Sequence, residues 1–474
     1  MSVNITDFLS TAPLMVVTAT GLLLILIEST RKSRTNLSFA ASLLGLLTAG
    51  VYALLNYSNE QTAFFGMIRQ GWFANFLNLV FVAAAILTIL LSKPYLERHA
   101  IHRGEYYILI MFATVGMMLM ASANDLIVVF LGIELMSLCL YVLAGFMRTK
   151  DKSNESALKY FLLGAFATGF LLYGIALIYG AAGTTNLETL NTMLPDLSSQ
   201  WMFEVGVGLL LTAFSFKVAA VPFHMWAPDV YEGAPTTVTA FMSTGGKAAA
   251  FATLLLVFHQ VFQFTGSKVN DLVAIIAAAS MVVGNVIAIA QSNIKRMLAY
   301  SSIAHAGYML SGVAAGNAEG QTGILFYLGA YTFMNLGAFG IVALMETEED
   351  KNLQLEDYAG LSRQRPFLAA LMAVFMFSLA GIPPLAGFFG KYYVFLSAVK
   401  ANMTWLAIVG VLTSLVSVYY YLRIVVLMYF REGQGDVAAK PAWSALIAVS
   451  CSGILLLLLG VFPSVIVNAV QKLF

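Results

Sequence analysis

Four ionisable side chains lie where a lipid-soluble chain has least reason to place them. Glu134 sits in VVFLGIELMSLCL, Lys217 in LTAFSFKVAAVPFH, Lys247 in FMSTGGKAAAFATLLL and Lys391 in GFFGKYYVFL. A charge at the centre of a membrane helix costs about 2.5–3.5 kcal/mol even on a lenient scale, so four cost on the order of 10 kcal/mol. A pathway for charge explains that cost better than packing does. Lysine suits proton transfer, because burial disfavours an ammonium and a neighbouring carboxylate restores it. Glu134 with Lys217, then a central Lys247, then a distal Lys391, reads as a switchable proton path. Structural alternatives stand beside it. Lys391 could snorkel to an interface, Lys247 could sit among Gly245, Gly246 and Ala248 for packing alone, and Glu134 and Lys217 could be a buried ion pair without transport.

Two further residues extend the pattern. His305, in YSSIAHAGYML, shares an apolar stretch with Ser301, Ser302 and Tyr308. That stripe is either a proton relay or a satisfied polar cluster. Lys159, in SNESALKYFLL, reads on its own as a lysine snorkelling from the start of its segment. His224 and His259 fall near segment ends, and His99 and His102 in a connection.

The elements that hold these residues must be membrane helices. Hydrophobic residues make up 60% of the chain and charged residues 10%, against about a quarter charged in soluble domains; the mean hydropathy is +0.83. A net charge of +1 lacks the basic face that nucleic acid demands. Cys139 and Cys451 stand far apart in apolar runs, which argues against a cysteine-ligated cluster, a zinc site or a disulfide framework. The start MSVNITDFLSTAP lacks the basic region of a cleavable signal, so the first apolar run is expected to be a retained span.

About fourteen stretches are long enough to cross: near 11–29, 37–56, 74–93, 105–122, 125–147, 156–180, 203–222, 236–260, 271–291, 296–314, 321–345, 367–392, 403–429 and 442–470. Basic residues collect after the odd-numbered spans: Arg31, Lys32 and Arg34; Lys93, Arg98 and Arg103; Arg148, Lys150 and Lys152; Lys295 and Arg296; Lys351, Arg363 and Arg365; Arg431 and Lys440. Those connections are therefore cytoplasmic, and both termini are expected on the outer face. The exception is the exit after span 7, with only Asp229 and Glu232. The longest connections, 181–202 and 346–366, leave no room for a soluble domain, so residues 1–474 read as one membrane domain.

Spans 7 and 12 are interrupted by similar motifs, AAVPFH at 219–224 and AGIPPL at 380–385. An offset of five spans turns the second copy upside down, the pattern of inverted repeats with broken helices near the bilayer midplane. The alternative is proline kinking for packing.

The stretches FLGIELMSLCLYVL, FKVAAVPFHMWAPDVYEGAP, SNIKRMLAYSSIAHAGY and SLAGIPPLAGFFGKYYVF together resemble the antiporter-like membrane subunits of respiratory complex I, over nearly the whole chain. A lysine at 391, where M-type members carry glutamate, and a chain that stops near Phe474 after span 14 bring the resemblance nearest to the N-type branch. The resemblance implies an all-α polytopic fold of about fourteen transmembrane helices, with broken helices 7 and 12 and two inverted five-helix repeats, roughly 105–260 and 271–430. It implies proton translocation during quinone reduction, with Glu134 and Lys217 as the coupling pair, Lys247 as central carrier, His305 beside the connecting path and Lys391 as distal carrier. It also lifts Lys159 above the snorkelling reading. No cofactor or metal is expected in this chain; NAD, FMN, iron–sulfur clusters and quinone would belong to partner subunits. The implied partners are the other membrane subunits, with M-type and small K-type neighbours, in a bacterial inner membrane.

Three rivals remain: a subunit of a multisubunit cation/proton antiporter or a membrane-bound hydrogenase, a stand-alone secondary transporter, and a structural anchor. A transporter would need a substrate pocket at the repeat interface, and an anchor would not need the midplane charges.

Overall fold

Backbone N–H and C=O groups that enter lipid must be satisfied within their own segment, which leaves helices as the economical solution for apolar runs such as these. The computed structural model describes residues 4–30, 35–262, 267–347, 351–433, 442–464 and 467–468. Arg31, Lys32, Arg34 and Lys440, the side chain of His259 and the chain end at Phe474 lie outside the described residues.

The chain begins with α1 (Ile5–Ser10), α2 (Ala12–Thr30) and α3 (Thr35–Leu55), followed by α4 (Trp72–Arg98), α5 (Gly104–Ser122), α6 (Leu126–Ala144), α7 (Asp151–Ala182), α8 (Leu187–Leu197) and α9 (Trp201–Val218). After the first break come α10 (Trp226–Gly233), α11 (Thr236–Phe241), a π turn (Met242–Gly246), α12 (Lys247–Phe262), α13 (Ser267–Ile289), α14 (Ile294–Ala315) and α15 (Ala318–Met345). A 3₁₀ turn (Leu355–Tyr358) and α16 (Leu361–Gln364) lead into α17 (Pro366–Ala380), and the second break separates it from α18 (Ala386–Lys400), α19 (Thr404–Phe430) and α20 (Trp443–Val461).

Among the described residues, twelve helical segments are long and apolar enough to cross a membrane. The other two expected spans fall on α14, whose polar stripe lowers its hydropathy, and on α17 and α18, each too short alone. Four details depart from expectation. A small antiparallel hairpin, β1 (Gln61–Ala63) and β2 (Ile68–Gln70), stands between α3 and α4; its turn takes positive φ at Phe64, Phe65 and Gly66. The connection 181–202 contains α8. Helix α7 starts at Asp151 rather than 156, so Lys159 lies more than two turns inside it. Lys295 and Arg296 lie in the first turn of α14 rather than in a connection, because Asn293 accepts from both of their backbone N–H groups and caps the helix.

The windows of α15 and of the α11–α12 segment are 94% buried, whereas α2 and α3 are about one third buried at the edge. Close approach is set by small residues. A Cβ on Gly284 would lie 2.6 Å from the Ala304 nitrogen, and one on Gly307 would lie 2.7 Å from the Ala277 carbonyl oxygen, so α13 and α14 pack backbone against backbone. Two isolated bridges recur in register: Asp125 with Asn186, and Asn293 with Gln354. Each joins a helix N-cap, that of α6 or of α14, to the connection after the next long helix.

Candidate functional site

Both breaks end a helix in the left-handed region. Helix α9 stops at Ala219 (φ 60°) and α17 at Gly381 (φ 87°), a geometry that turns the chain and closes the helix by satisfying its last carbonyls. Val221–Pro222 and Pro383–Pro384 are cis peptides within the breaks.

The breaks present two of the lysines. Lys217, 9% exposed, is in the last turn of α9. Its Nζ donates to Ser137 Oγ at 2.8 Å and to Tyr141 OH at 3.4 Å, both on α6. Lys391, 5% exposed, lies on α18 and donates to the carbonyls of Leu379 and Ala380, each at 2.9 Å, and to Ser414 Oγ at 2.8 Å. Those two carbonyls belong to the end of α17, so the break itself supplies acceptors for the ammonium. A surface groove of 680 Å³, lined by Phe388, Phe395, Ile408 and Leu415 among others, reaches Lys391.

Lys247 is 3% exposed, at the point where the π turn passes into α12. Its Nζ donates to Ser302 O at 2.7 Å and to Ser302 Oγ. One helical turn on, His305 is 1% exposed. Its Nδ1 pairs with Tyr327 OH at 2.7 Å and its Nε2 with Tyr421 OH at 3.0 Å; Tyr421 OH also meets Ser301 Oγ. Tyr308 OH accepts from Asn285 Nδ2 at 2.9 Å, and Asn285 Oδ1 accepts from Tyr420 at 2.8 Å. The Lys391 ammonium stands 5.0 Å from the Tyr308 ring centre. The hydroxyls, the imidazole and the lysine amines of this set can pass or hold a proton, while the carboxamide and the carbonyls orient them by hydrogen bonds.

The structure thus gathers Lys247, His305 and Lys391 around one hydroxyl-rich core. The expected Glu134–Lys217 pair is not a direct contact. Glu134 is half-buried, and its Oε1 accepts from Thr168 at 2.6 Å. Ser137, one turn along α6, holds the lysine instead. Lys159 stands elsewhere. Its Nζ is 2.7 Å from both Glu155 and Asp229, in a cluster completed by Arg296, which reaches Asp229 at 2.8 Å and Glu232 at 2.9 Å. Asp229 and Glu232 lie on the short α10, outside the spans. Burial pushes their carboxyls up, and Lys159 or Lys152 together with Arg296 outweigh it, holding both below the ordinary carboxylate range.

Sequence reasoning missed Ser137, Tyr141, Thr168, Tyr327, Ser414 and Tyr421. Ser137 and Tyr141 were discoverable, because they follow Glu134 at helical spacing in ELMSLCLY.

Residues 123–417 match the family of NADH:quinone oxidoreductase and Mrp antiporter transmembrane proteins. Over full length the chain is 48% identical to NADH-quinone oxidoreductase subunit N of Trichlorobacter lovleyi, covering 100% of this chain and 99% of that protein. The chain belongs to the NADH-quinone oxidoreductase subunit N family. Another subunit N, from Salinibacter ruber, is 46% identical across 97% of this chain and 94% of its own. Among solved structures, a chain of respiratory complex I from Thermus thermophilus with bound aureothin superposes with a TM-score of 0.85 at 36% identity, covering 97% and 99% of the two chains. A chain of the Mrp complex from Dietzia shares the fold, with a TM-score of 0.85 at 20% identity over 98% and 96%. The subunit N family therefore shares an architecture with a wider group of membrane complexes.

Proposed function

We propose that this chain is the proton-translocating membrane subunit N of an NADH:quinone oxidoreductase. Redox chemistry in partner subunits drives proton transfer through its buried line. The observation that carries the reading is the buried set at the centre: Lys247 on Ser302, His305 between Tyr327 and Tyr421, and Lys391 on Ser414. A structural anchor would gain nothing from such a set, whose burial is costly.

In this reading Lys217 takes up or releases a proton at the first break, Lys247 is the central carrier, His305 bridges, and Lys391 serves the exit. Glu134 biases Lys217 through the field between them and through the Ser137 side of α6. Lys159 acts through Asp229, on the segment that follows the first break. The paired bridges, Asp125–Asn186 and Asn293–Gln354, and the paired helix ends at Ala219 and Gly381 support two inverted repeats of about 105–260 and 271–430 inside one membrane domain, with α14 and the α17–α18 pair counted as spans to make fourteen. The neighbours would be M-type and K-type membrane subunits in a bacterial inner membrane, with both termini outside. NAD, FMN, iron–sulfur clusters and quinone would reside in partner chains.

The test is co-purification. The chain is captured from mildly solubilised membranes, its partners are identified, and the same fraction is assayed for quinone reduction and, after reconstitution, for proton pumping. Recovery with iron–sulfur subunits and quinone reductase activity is expected. Recovery with antiporter subunits alone, and no redox activity, would reassign the chain to a cation/proton antiporter. Lys247→Ala should lower pumping roughly tenfold, the effect of about 1.4 kcal/mol on a barrier; wild-type pumping in that variant would remove the relay.

A further inference from the structure

The central line needs a source of protons, and two buried carboxyls among the described residues lie outside it: Asp125, which caps α6 and accepts from Thr185, and Glu346. Glu346 follows the last residue of α15 and is 2% exposed. Its Oε1 accepts from Tyr95 OH at 3.1 Å, and its Oε2 accepts from the Thr236 hydroxyl. Tyr95 and Thr236 are both neutral hydroxyls, so the carboxyl can gain or lose a proton without breaking an ion pair with them. A purely structural role is a poor account of it. The C-terminal end of a helix carries partial negative charge and favours cations, and the capping there is done by Arg98, whose Nη1 reaches the carbonyls of Ala343 at 3.2 Å, Leu344 at 3.4 Å and Glu346 at 2.6 Å. Beside it, the buried Tyr358 hydroxyl has no hydrogen-bond partner among the described residues; burial first, and then the Glu346 carboxyl, push that phenol well above its usual range.

A second observation connects this group to the lysine. Thr236, Thr239, Ser243 and Lys247 recur about once per turn along α11 and into α12, and all four are buried. Residues at that spacing share a face with about 5–6 Å between neighbours, a gap that single waters bridge. The π turn Met242–Gly246 re-aims the helix just before Lys247, a distortion that clusters at functional sites. Across from it, α15 carries Tyr331 and Asn335 one turn apart, and Glu346 follows its end. The Lys247 ammonium is 6.0 Å from the Tyr331 ring centre. Asn335 Nδ2 donates to Tyr331 OH at 2.8 Å, while Asn335 Oδ1 is buried without a partner among the described residues.

We propose that Glu346 is the proton donor to Lys247 from the side that the basic connections assign to the cytoplasm, with the α11 hydroxyls as its path. The inference rests on the relay reading above. In the step, the Glu346 O–H bond breaks and Thr236 takes that proton while passing its own onward. The last oxygen in the path gives a proton to the neutral Lys247 amine, which becomes an ammonium. The Glu346 carboxylate is then reprotonated from water on its own side.

The experiment uses the whole purified complex in proteoliposomes and measures protons pumped per quinone reduced, alongside the amount of assembled complex. Glu346→Gln and Thr236→Val should each lower that ratio several-fold in assembled complex, Glu346→Asp should restore most of it, and Glu346→Gln combined with Lys247→Ala should be no worse than Lys247→Ala alone. A wild-type ratio in Glu346→Gln, with a loss in Lys247→Ala, would overturn the donor and leave the relay standing. A wild-type ratio in Lys247→Ala would remove both. If Glu346→Gln does not assemble, Thr236→Val decides, and a normal ratio there overturns the proposal.

Discussion

Gly381 and Lys391 touch across the second break: a Cβ placed on Gly381 would lie 3.0 Å from Lys391 Cδ and 3.2 Å from Nζ. The glycine also holds φ at 87°, a region costing other residues about 1–2 kcal/mol. Gly381→Ala should therefore shift an ammonium that three acceptors already fix, lowering proton pumping in assembled complex while the matching exchange Ala219→Gly leaves it intact. Pumping and thermal stability of the two variants, measured side by side, check this. Equal behaviour would mean that the Lys391 geometry does not matter.

Ser137 decides how Lys217 and Glu134 communicate. Ser137→Ala leaves Lys217 with only Tyr141 at 3.4 Å. Losing a hydrogen bond to a buried charge costs about 1.5–3 kcal/mol, enough to lower pumping by about tenfold or more. The double variant with Glu134→Gln should be less than additive. Additive losses would show that the carboxylate acts on Lys217 without the serine.

Tyr421 holds His305 Nε2 and Ser301 together. Tyr421→Phe keeps the ring and removes the hydroxyl, leaving two buried polar groups short of a partner at about 1–3 kcal/mol each. Pumping should fall with only a modest loss of assembled complex. A variant that pumps normally but assembles poorly would make the tyrosine structural.

Arg296 clamps α10 to α14 through Asp229 and Glu232. Arg296→Ala should destabilise the complex by about 1–3 kcal/mol, a range set by partial rather than full burial. Arg296→Lys should not restore it, since one ammonium cannot reproduce the guanidinium fork. Both carboxyls titrate below their ordinary range, so their stabilisation is complete above the unfolded values and is lost as pH falls through the lowered folded ones. Melting curves at neutral and acid pH should show wild type converging on Arg296→Ala as pH falls. A constant gap would contradict the clamp.

The lysines, Glu134 and His305 were legible because ionisable groups stand out in apolar runs, and both breaks because proline cannot continue a helix. The partners were not. Tyr327 and Tyr421 reach His305 from α15 and α19, and no local periodicity records a contact that distant in sequence. The depth of Lys159 within its helix was not legible, because the polar stretch DKSNES continues the helix instead of preceding it; the lysine there pairs with Asp229. The π turn had a weak signal in Gly245–Gly246.

The backbone contact of α13 with α14 has a consequence for how the chain is made. Helix α14 carries Lys295, Arg296 and His305 with a row of hydroxyls, and falls short of the apolarity that lets a helix partition into lipid unaided. Its glycine-lined face against α13 offers a packing surface that needs no hydrophobic driving force. Biogenesis should accordingly insert the two helices as one hairpin, with α13 escorting α14 out of the translocon. The helix that carries His305 then owes its place in the membrane to its neighbour.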